Sequence, residues 1–121
     1  MVVIDDDPSI REVAAVALSA VGGHDVLTAP DGTMGLDLAR RVRPDAILLD
    51  VMMPVQDGPT VLGRMRAVPE LRETPVVFLT AKVGSQDISR LDGLGATGVL
   101  TKPFDPLLLS SELAAVLGWD E

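Results

Sequence analysis

The 121 residues carry 18 acidic against 10 basic side chains, and the resulting charge of −8 argues against direct binding of nucleic acid or an anionic membrane. Cysteine is absent, which removes disulfides, thiolate metal sites and cysteine nucleophiles, and no apolar run reaches the ~18 residues of a membrane span. Aromatics are 2% of a composition that is 47% hydrophobic, so a single domain over 1–121 with a core of Leu, Val, Ile, Ala and Met is expected, in a soluble cytoplasmic protein with no signal peptide.

Met1 to Ile4 read as a short apolar strand running into Asp5-Asp6-Asp7-Pro8. Asp7 followed by Pro8 has the form of a helix N-cap with proline at the first helical position. The helix after it places Ile10, Val13, Ala14, Ala17, Leu18 and Val21 at a period of 3.6, all expected inward, and Gly22-Gly23 stops it. His24 to Ala29 form a second strand. Asp31-Gly32 then turn into a helix with Leu36, Ala39 and Val42 inward, weakened slightly by Gly35.

Ala46-Ile47-Leu48-Leu49, opened by Pro44-Asp45 and closed by Asp50, is the kind of apolar run that a strand buried on both faces of a parallel sheet shows. A loop through Pro54 and Asp57-Gly58 leads to a helix with Val61, Leu62, Met65 and Val68 inward. Thr74-Pro75 open the strand Val76 to Leu79, which ends at Thr80. A weaker helix with Ile88, Leu91 and Leu94 inward ends at Gly95. Gly98 to Thr101 form the last strand, followed by Lys102-Pro103. Asp105 caps and Pro106 starts the final helix, which turns Leu109, Leu113, Val116 and Leu117 inward.

Strand and helix alternate five times, which implies a parallel sheet, helices on both faces and right-handed crossovers. In such a sheet the carboxyl ends of all strands share one edge, where open α/β folds hold ligands. Asp5-Asp6, Asp50, Thr80 and Lys102 all fall there. Three clustered carboxylates repel one another unless a cation sits among them, and a hard ion such as Mg²⁺ takes carboxylates, waters and a phosphate. Lys102 brings a point charge and Thr80 a hydroxyl for phosphoryl oxygens, which leaves Asp50 as the nucleophile of an aspartyl-phosphate reaction. Taken singly, each has a plainer reading: Asp-Asp-Asp-Pro as a cap, Thr80 as a turn residue, Lys102 as a surface lysine. The combination at one edge favours phosphoryl chemistry. The basic group Arg40, Arg41 and Arg43 is read as complementing a helix dipole, and the five methionines as core and loop filling.

The stretches VVIDDDPSIRE, PDAILLDVMMPVQDG, PVVFLTAK and GATGVLTKPFDP resemble the receiver domains of two-component response regulators over essentially the whole chain. The resemblance implies a flavodoxin-like, doubly wound (βα)5 fold with strand order 2-1-3-4-5. It implies that Asp50 accepts a phosphoryl group from a phosphohistidine on a sensor histidine kinase or histidine phosphotransfer protein. Asp6 and Asp50 would bind Mg²⁺ directly, with the backbone carbonyl of Met52, and Asp5 through a water. Thr80 and Lys102 would close on the phosphoryl group, Lys102-Pro103 would be cis, and Met52 and Lys82 would influence the phosphate's lifetime. A homodimer through the last helices and a downstream protein target or effector domain are further implications. No other cofactor, and no catalysis beyond self-phosphorylation and dephosphorylation, is expected.

Two departures stand out. Val99 occupies a position where the family usually carries Tyr or Phe whose ring moves with the threonine, which keeps a phosphorylation-independent pseudo-receiver as an alternative. Only four residues precede Asp5, so the first strand is expected to be short. An Asp-nucleophile phosphatase is a further alternative, but such enzymes carry a second Asp where Met52 stands. His24 is the sole histidine; it is expected to be exposed and away from the acidic edge, so the donor histidine must come from a partner. Trp119 is expected to pack against or cap the last helix.

Overall fold

The computed structural model describes residues 1–81, 89–91 and 93–119. Five parallel strands, β1 (Val2–Ile4), β2 (Leu27–Ala29), β3 (Ile47–Asp50), β4 (Val76–Thr80) and β5 (Gly98–Thr101), lie in the order β2-β1-β3-β4-β5. Four α-helices are continuous in the described chain: α1 (Pro8–Val16), α2 (Gly32–Val42), α3 (Gly58–Arg66) and α4 (Leu109–Leu117). Residues 89–91 are helical and belong to the helix expected between β4 and β5; Ile88, expected inward there, and Lys82 lie outside the described residues.

Because alternate side chains of a strand point to opposite faces, the sheet separates two cores. On one face Val2, Ile4, Ile47, Leu49, Val76 and Phe78 pack against α2 and α3. On the other Val3, Leu48, Val77, Leu79 and Leu100 pack against α1 and α4. Each fully buried Leu or Val contributes about 1.5–3 kcal/mol, and strands lined on both faces explain why β3 and β4 read as unbroken apolar runs.

Aspartates start three of the helices. Asp7 Oδ1 accepts from the Ser9 and Ile10 amides, Asp31 Oδ1 from Met34 and Asp57 Oδ1 from Thr60. Each cap satisfies amides that the first turn leaves unpaired.

Several sequence expectations are corrected. After Val16 the chain continues as a π-helix, Ala17–Val21. The wider turn breaks the 3.6 count and leaves Val21 53% exposed rather than inward; Val13, within the regular part of α1, is 42% exposed at the margin of its buried face. Strand β2 starts at Leu27, not His24, and is an edge strand of three residues. Val42 and Leu94 are exposed at element ends. The final helix starts at Leu109, not Pro106: Asp105 Oδ1 caps Leu107 and the Asp105 carbonyl accepts from Leu108 and Leu109, so residues 106–108 form a turn. A 3₁₀ turn, Pro69–Leu71, follows α3 and was not expected. Arg66 holds it, donating to the carbonyls of Leu71 and Thr74 at 2.8 Å each. His24 is half-buried, its ring 5.8 Å from that of Trp119.

Candidate functional site

Register alone brings the acids together. Ile4 is level with Leu49, so the next residues, Asp5 and Asp50, emerge side by side at the carboxyl edge. Asp50 is level with Leu79, and Thr80 with Thr101. Lys102 follows directly, its amide donating to the Thr80 carbonyl at 2.8 Å. The Lys102-Pro103 peptide is cis.

The pocket floor is two buried carboxylates, Asp5 at 0% and Asp50 at 3% exposure, with Asp6 exposed at the rim. One oxygen from each of the three lies within 4.8 Å of the others. Lys102 spans the pair: its Nζ donates to Asp50 Oδ1 at 3.1 Å and lies 3.0 Å from Asp5 Oδ2. The second contact is a salt bridge that holds the fully buried Asp5 carboxylate against the same ammonium. Asp5 Oδ1 accepts from the Asp7 amide at 2.9 Å, which fixes the side chain.

Burial dominates the ionisation of Asp50. Loss of solvent, reinforced by the Asp5 charge and outweighing the Lys102 contact, pushes its carboxyl up to about 6. Burial would push the Lys102 ammonium down, but its contacts with Asp5 and Asp50 prevail and leave it raised. One lysine therefore cannot neutralise the floor. A hard divalent ion such as Mg²⁺ fits this donor set, since it takes carboxylate oxygens and three carboxylates converge here on a single ammonium.

Thr80 is buried at the end of β4. Met52, two residues beyond Asp50, is 61% exposed, and its amide donates to Asp50 Oδ1 at 3.4 Å. Asp5, Asp6, Asp50 and Lys102 thus meet in one cluster at the carboxyl edge, with Thr80 at the end of β4 and Met52 in the loop after β3.

Two supporting residues escaped the sequence reading. Arg11 Nη1 donates to the Asp5 carbonyl at 2.8 Å, tying α1 to the acidic turn. Its signal was its place in VVIDDDPSIRE, one turn into the helix that follows the acids. Gly58 was read only as part of a loop. A Cβ there would meet the Asp50 carbonyl at 2.6 Å and Val51 Cα at 2.9 Å, and its amide donates to the Val51 carbonyl. The backbone behind Asp50 therefore approaches too closely for any side chain.

The chain is 39% identical over 117 residues to the DNA-binding dual master transcriptional regulator RpaA of Synechocystis, an alignment covering 97% of this chain and 48% of the relative. It is 40% identical over 114 residues to the transcriptional regulatory protein CseB of Streptomyces coelicolor, covering 94% of this chain and 47% of that one. The chain therefore spans about half the length of these relatives. The solved chemotaxis response regulator CheY4 of Vibrio cholerae superposes with a TM-score of 0.88 at 35% identity, covering 95% of both chains. The family model of the response regulator receiver domain matches residues 1–114, and with this fold and this acidic edge the chain belongs to the receiver domains of two-component response regulators.

Proposed function

We propose that this domain is a Mg²⁺-dependent phosphoacceptor, with Asp50 taking a phosphoryl group from a phosphohistidine. The observation that carries the reading is Lys102 spanning two buried carboxylates, one at the end of β3 and one just after β1, with Asp6 at the rim completing a three-carboxylate cluster. Asp5, Asp6, Asp50 and the Met52 carbonyl would hold the ion. Mg²⁺ supplies charge neutralisation and a fixed anchor for the phosphate when bound.

The residues of the chain then divide the work. With its carboxyl at about 6, Asp50 is mostly ionised at neutral pH and retains more basicity than an ordinary aspartate. One of its oxygens attacks phosphorus as the bond to the donor imidazole nitrogen breaks; the electron pair of that bond stays on the ring, whose other nitrogen carries a proton, giving an acyl phosphate on this chain and a neutral histidine on the donor. Lys102 exchanges its Asp50 contact for a phosphoryl oxygen, and the Thr80 hydroxyl donates to another. His24 is the sole histidine and pairs with Trp119, so the donor belongs to a sensor histidine kinase or a histidine phosphotransfer protein.

The product is a shifted conformational population rather than a released chemical, so the domain acts as a cytoplasmic switch and not an enzyme. Among the described residues no helix is long and apolar enough to cross a membrane. The output is a downstream protein target or an effector domain, in keeping with the transcriptional relatives, and the −8 charge keeps this domain itself off nucleic acid. Val99 packs half-buried against the α2–α3 core and offers no ring to move, so output must be coupled through other contacts.

Intact-mass spectrometry after incubation with acetyl phosphate tests the reading. A gain of one phosphoryl mass is expected with Mg²⁺, and none with EDTA or in Asp50→Ala. If neither acetyl phosphate nor a phosphorylated histidine kinase modifies the protein, the pseudo-receiver reading replaces this one.

A further inference from the structure

Every polar atom of Asp5 has a partner, and each partner comes from a different residue. The amide donates to the Ala29 carbonyl at the end of β2, at 3.2 Å. Oδ1 accepts from the Asp7 amide at 2.9 Å, and Oδ2 lies 3.0 Å from Lys102 Nζ. The carbonyl accepts from Arg11 Nη1 at 2.8 Å. Two of these partners are backbone groups and one is the lysine of the cluster. Arg11 is the remaining side chain, and it reaches back from α1.

A neutral carbonyl is an uncommon choice for a guanidinium in this chain. There are 18 acidic side chains, yet among the described residues Arg11 forms no ion pair with any of them. Its own amide donates to the Asp7 carbonyl at 3.0 Å, in the first turn of the helix that Asp7 caps. Helix and side chain together therefore close the chain into a ring over residues 5–11. The grip bears on Asp6 as much as on Asp5. The Asp5 carbonyl and the Asp6 amide belong to one rigid peptide plane, so a donor on that carbonyl fixes the direction in which Asp6 leaves the strand end. Asp6 is exposed at the rim, where the two carboxylates below repel it, and one of its oxygens still lies within 4.8 Å of theirs.

We infer that Arg11 is a positioning residue for the metal site: by holding the Asp5–Asp6 peptide it keeps three carboxylates converged for a hard divalent cation. Contacts behind the ligands commonly set metal affinity in this way. The inference rests on the proposed Mg²⁺ site. The sign of the effect separates positioning from charge. A guanidinium beside the acids opposes a second cation, so loss of its charge alone would tighten Mg²⁺ binding. Loss of its grip weakens binding instead.

Isothermal titration calorimetry with MgCl₂ at pH 7.5, without phosphodonor, tests it. Arg11→Met keeps a long stem and removes both donor and charge; it is expected to weaken Mg²⁺ binding by about tenfold or more. Arg11→Lys, which keeps the charge and a donor but not the planar fork, should weaken it by a smaller factor, and it carries the test if Arg11→Met does not fold. Arg41→Met removes the same charge from an exposed pair with Asp37 at the end of α2 and should bind as the wild type does. Circular dichroism melts set a temperature at which every titrated variant is folded, so that lost stability does not enter the dissociation constant. Unchanged or tighter binding in the Arg11 variants, beside a wild type that binds Mg²⁺ and an Asp50→Ala that does not, would overturn the inference and leave the metal site standing. A wild-type chain that takes up no Mg²⁺ would overturn both.

Discussion

Lys102 and Asp50, fifty-two positions apart, are joined by a hydrogen bond of 3.1 Å between Nζ and Oδ1. The pair stands on strand ends that are not adjacent, with β4 between β3 and β5. Only the length of the lysine stem lets one cation reach the carboxylates after β1 and at β3 together.

Removing that cation leaves two buried acids facing each other. Lys102→Met is expected to destabilise the metal-free protein by about 2–4 kcal/mol at pH 7.5, because losing one partner strands a buried charge. At pH 5 the loss shrinks, since an acid that can take up a proton need not stay charged. Urea unfolding at the two pH values measures both. Equal losses at both would show that Lys102 acts through packing alone.

Asp50 itself makes stability depend on pH. Its folded-state pKa is raised from 3.8 to about 6, so the native state holds its proton more tightly than the unfolded chain does. This stabilising contribution is fully present below 3.8 and is lost as pH rises through 6. It amounts to about 3 kcal/mol, at 1.36 kcal/mol per pKa unit. Asp50→Asn, which keeps the shape and removes the charge, should raise the metal-free melting temperature at pH 7.5 and flatten its pH profile between pH 4 and 7. Adding Mg²⁺ should raise the wild-type melting temperature at pH 7.5 by mass action and have much less effect on Asp50→Asn. A wild-type melting temperature that rises with pH across this window would contradict the assignment.

Two glycines mark where sequence reading stopped short. The strand-end acids and Lys102 were legible because polar residues at the close of apolar runs share one edge by topology, whatever their side chains touch. Gly35 was read through helix propensity, as a weak point worth about 1 kcal/mol relative to alanine. In the structure a Cβ at Gly35 would lie 2.4 Å from Ile4 Cδ1 and 2.7 Å from Cγ1, so α2 reaches β1 only because that atom is missing. Contacts between distant segments leave no local pattern, and neither did the π-helical turn that exposed Val21. Gly35→Ala should therefore destabilise by about 1–3 kcal/mol despite its better helix propensity, and Ile4→Val should recover part of the loss. Stabilisation by Gly35→Ala would mean that propensity outweighs packing here.

Gly58 carries the same argument into the site. The atoms a Cβ would strike there are backbone, the Asp50 carbonyl and Val51 Cα, and these cannot swing aside as a side chain can. Gly58→Ala is expected both to destabilise the fold by about 2 kcal/mol or more and to slow phosphorylation of Asp50, since the displaced backbone is that of the proposed acceptor. Stopped-flow phosphorylation with acetyl phosphate under conditions where the variant is fully folded separates the two effects. An unchanged rate would show that the acceptor's position survives the shift.

Val55 departs from the rule that strain accompanies burial. It has a positive φ of 69°, which β-branched residues avoid, and it is fully exposed at 102%. The conformation is imposed by its surroundings: the Gln56 amide closes a tight turn onto the Pro54 carbonyl at 2.8 Å, and the Gln56 side chain accepts from Arg64 Nη1. A β-branched residue at the centre of such a γ-turn costs about 1–3 kcal/mol, and the exposed Val55 side chain recovers none of it through packing. Val55→Gly, which takes a positive φ at no steric cost, should stabilise the domain by about 1 kcal/mol, read as a higher urea midpoint at unchanged slope. The substitution removes no buried contact, so a midpoint that falls would show that the Val55 side chain holds the β3–α3 loop in place.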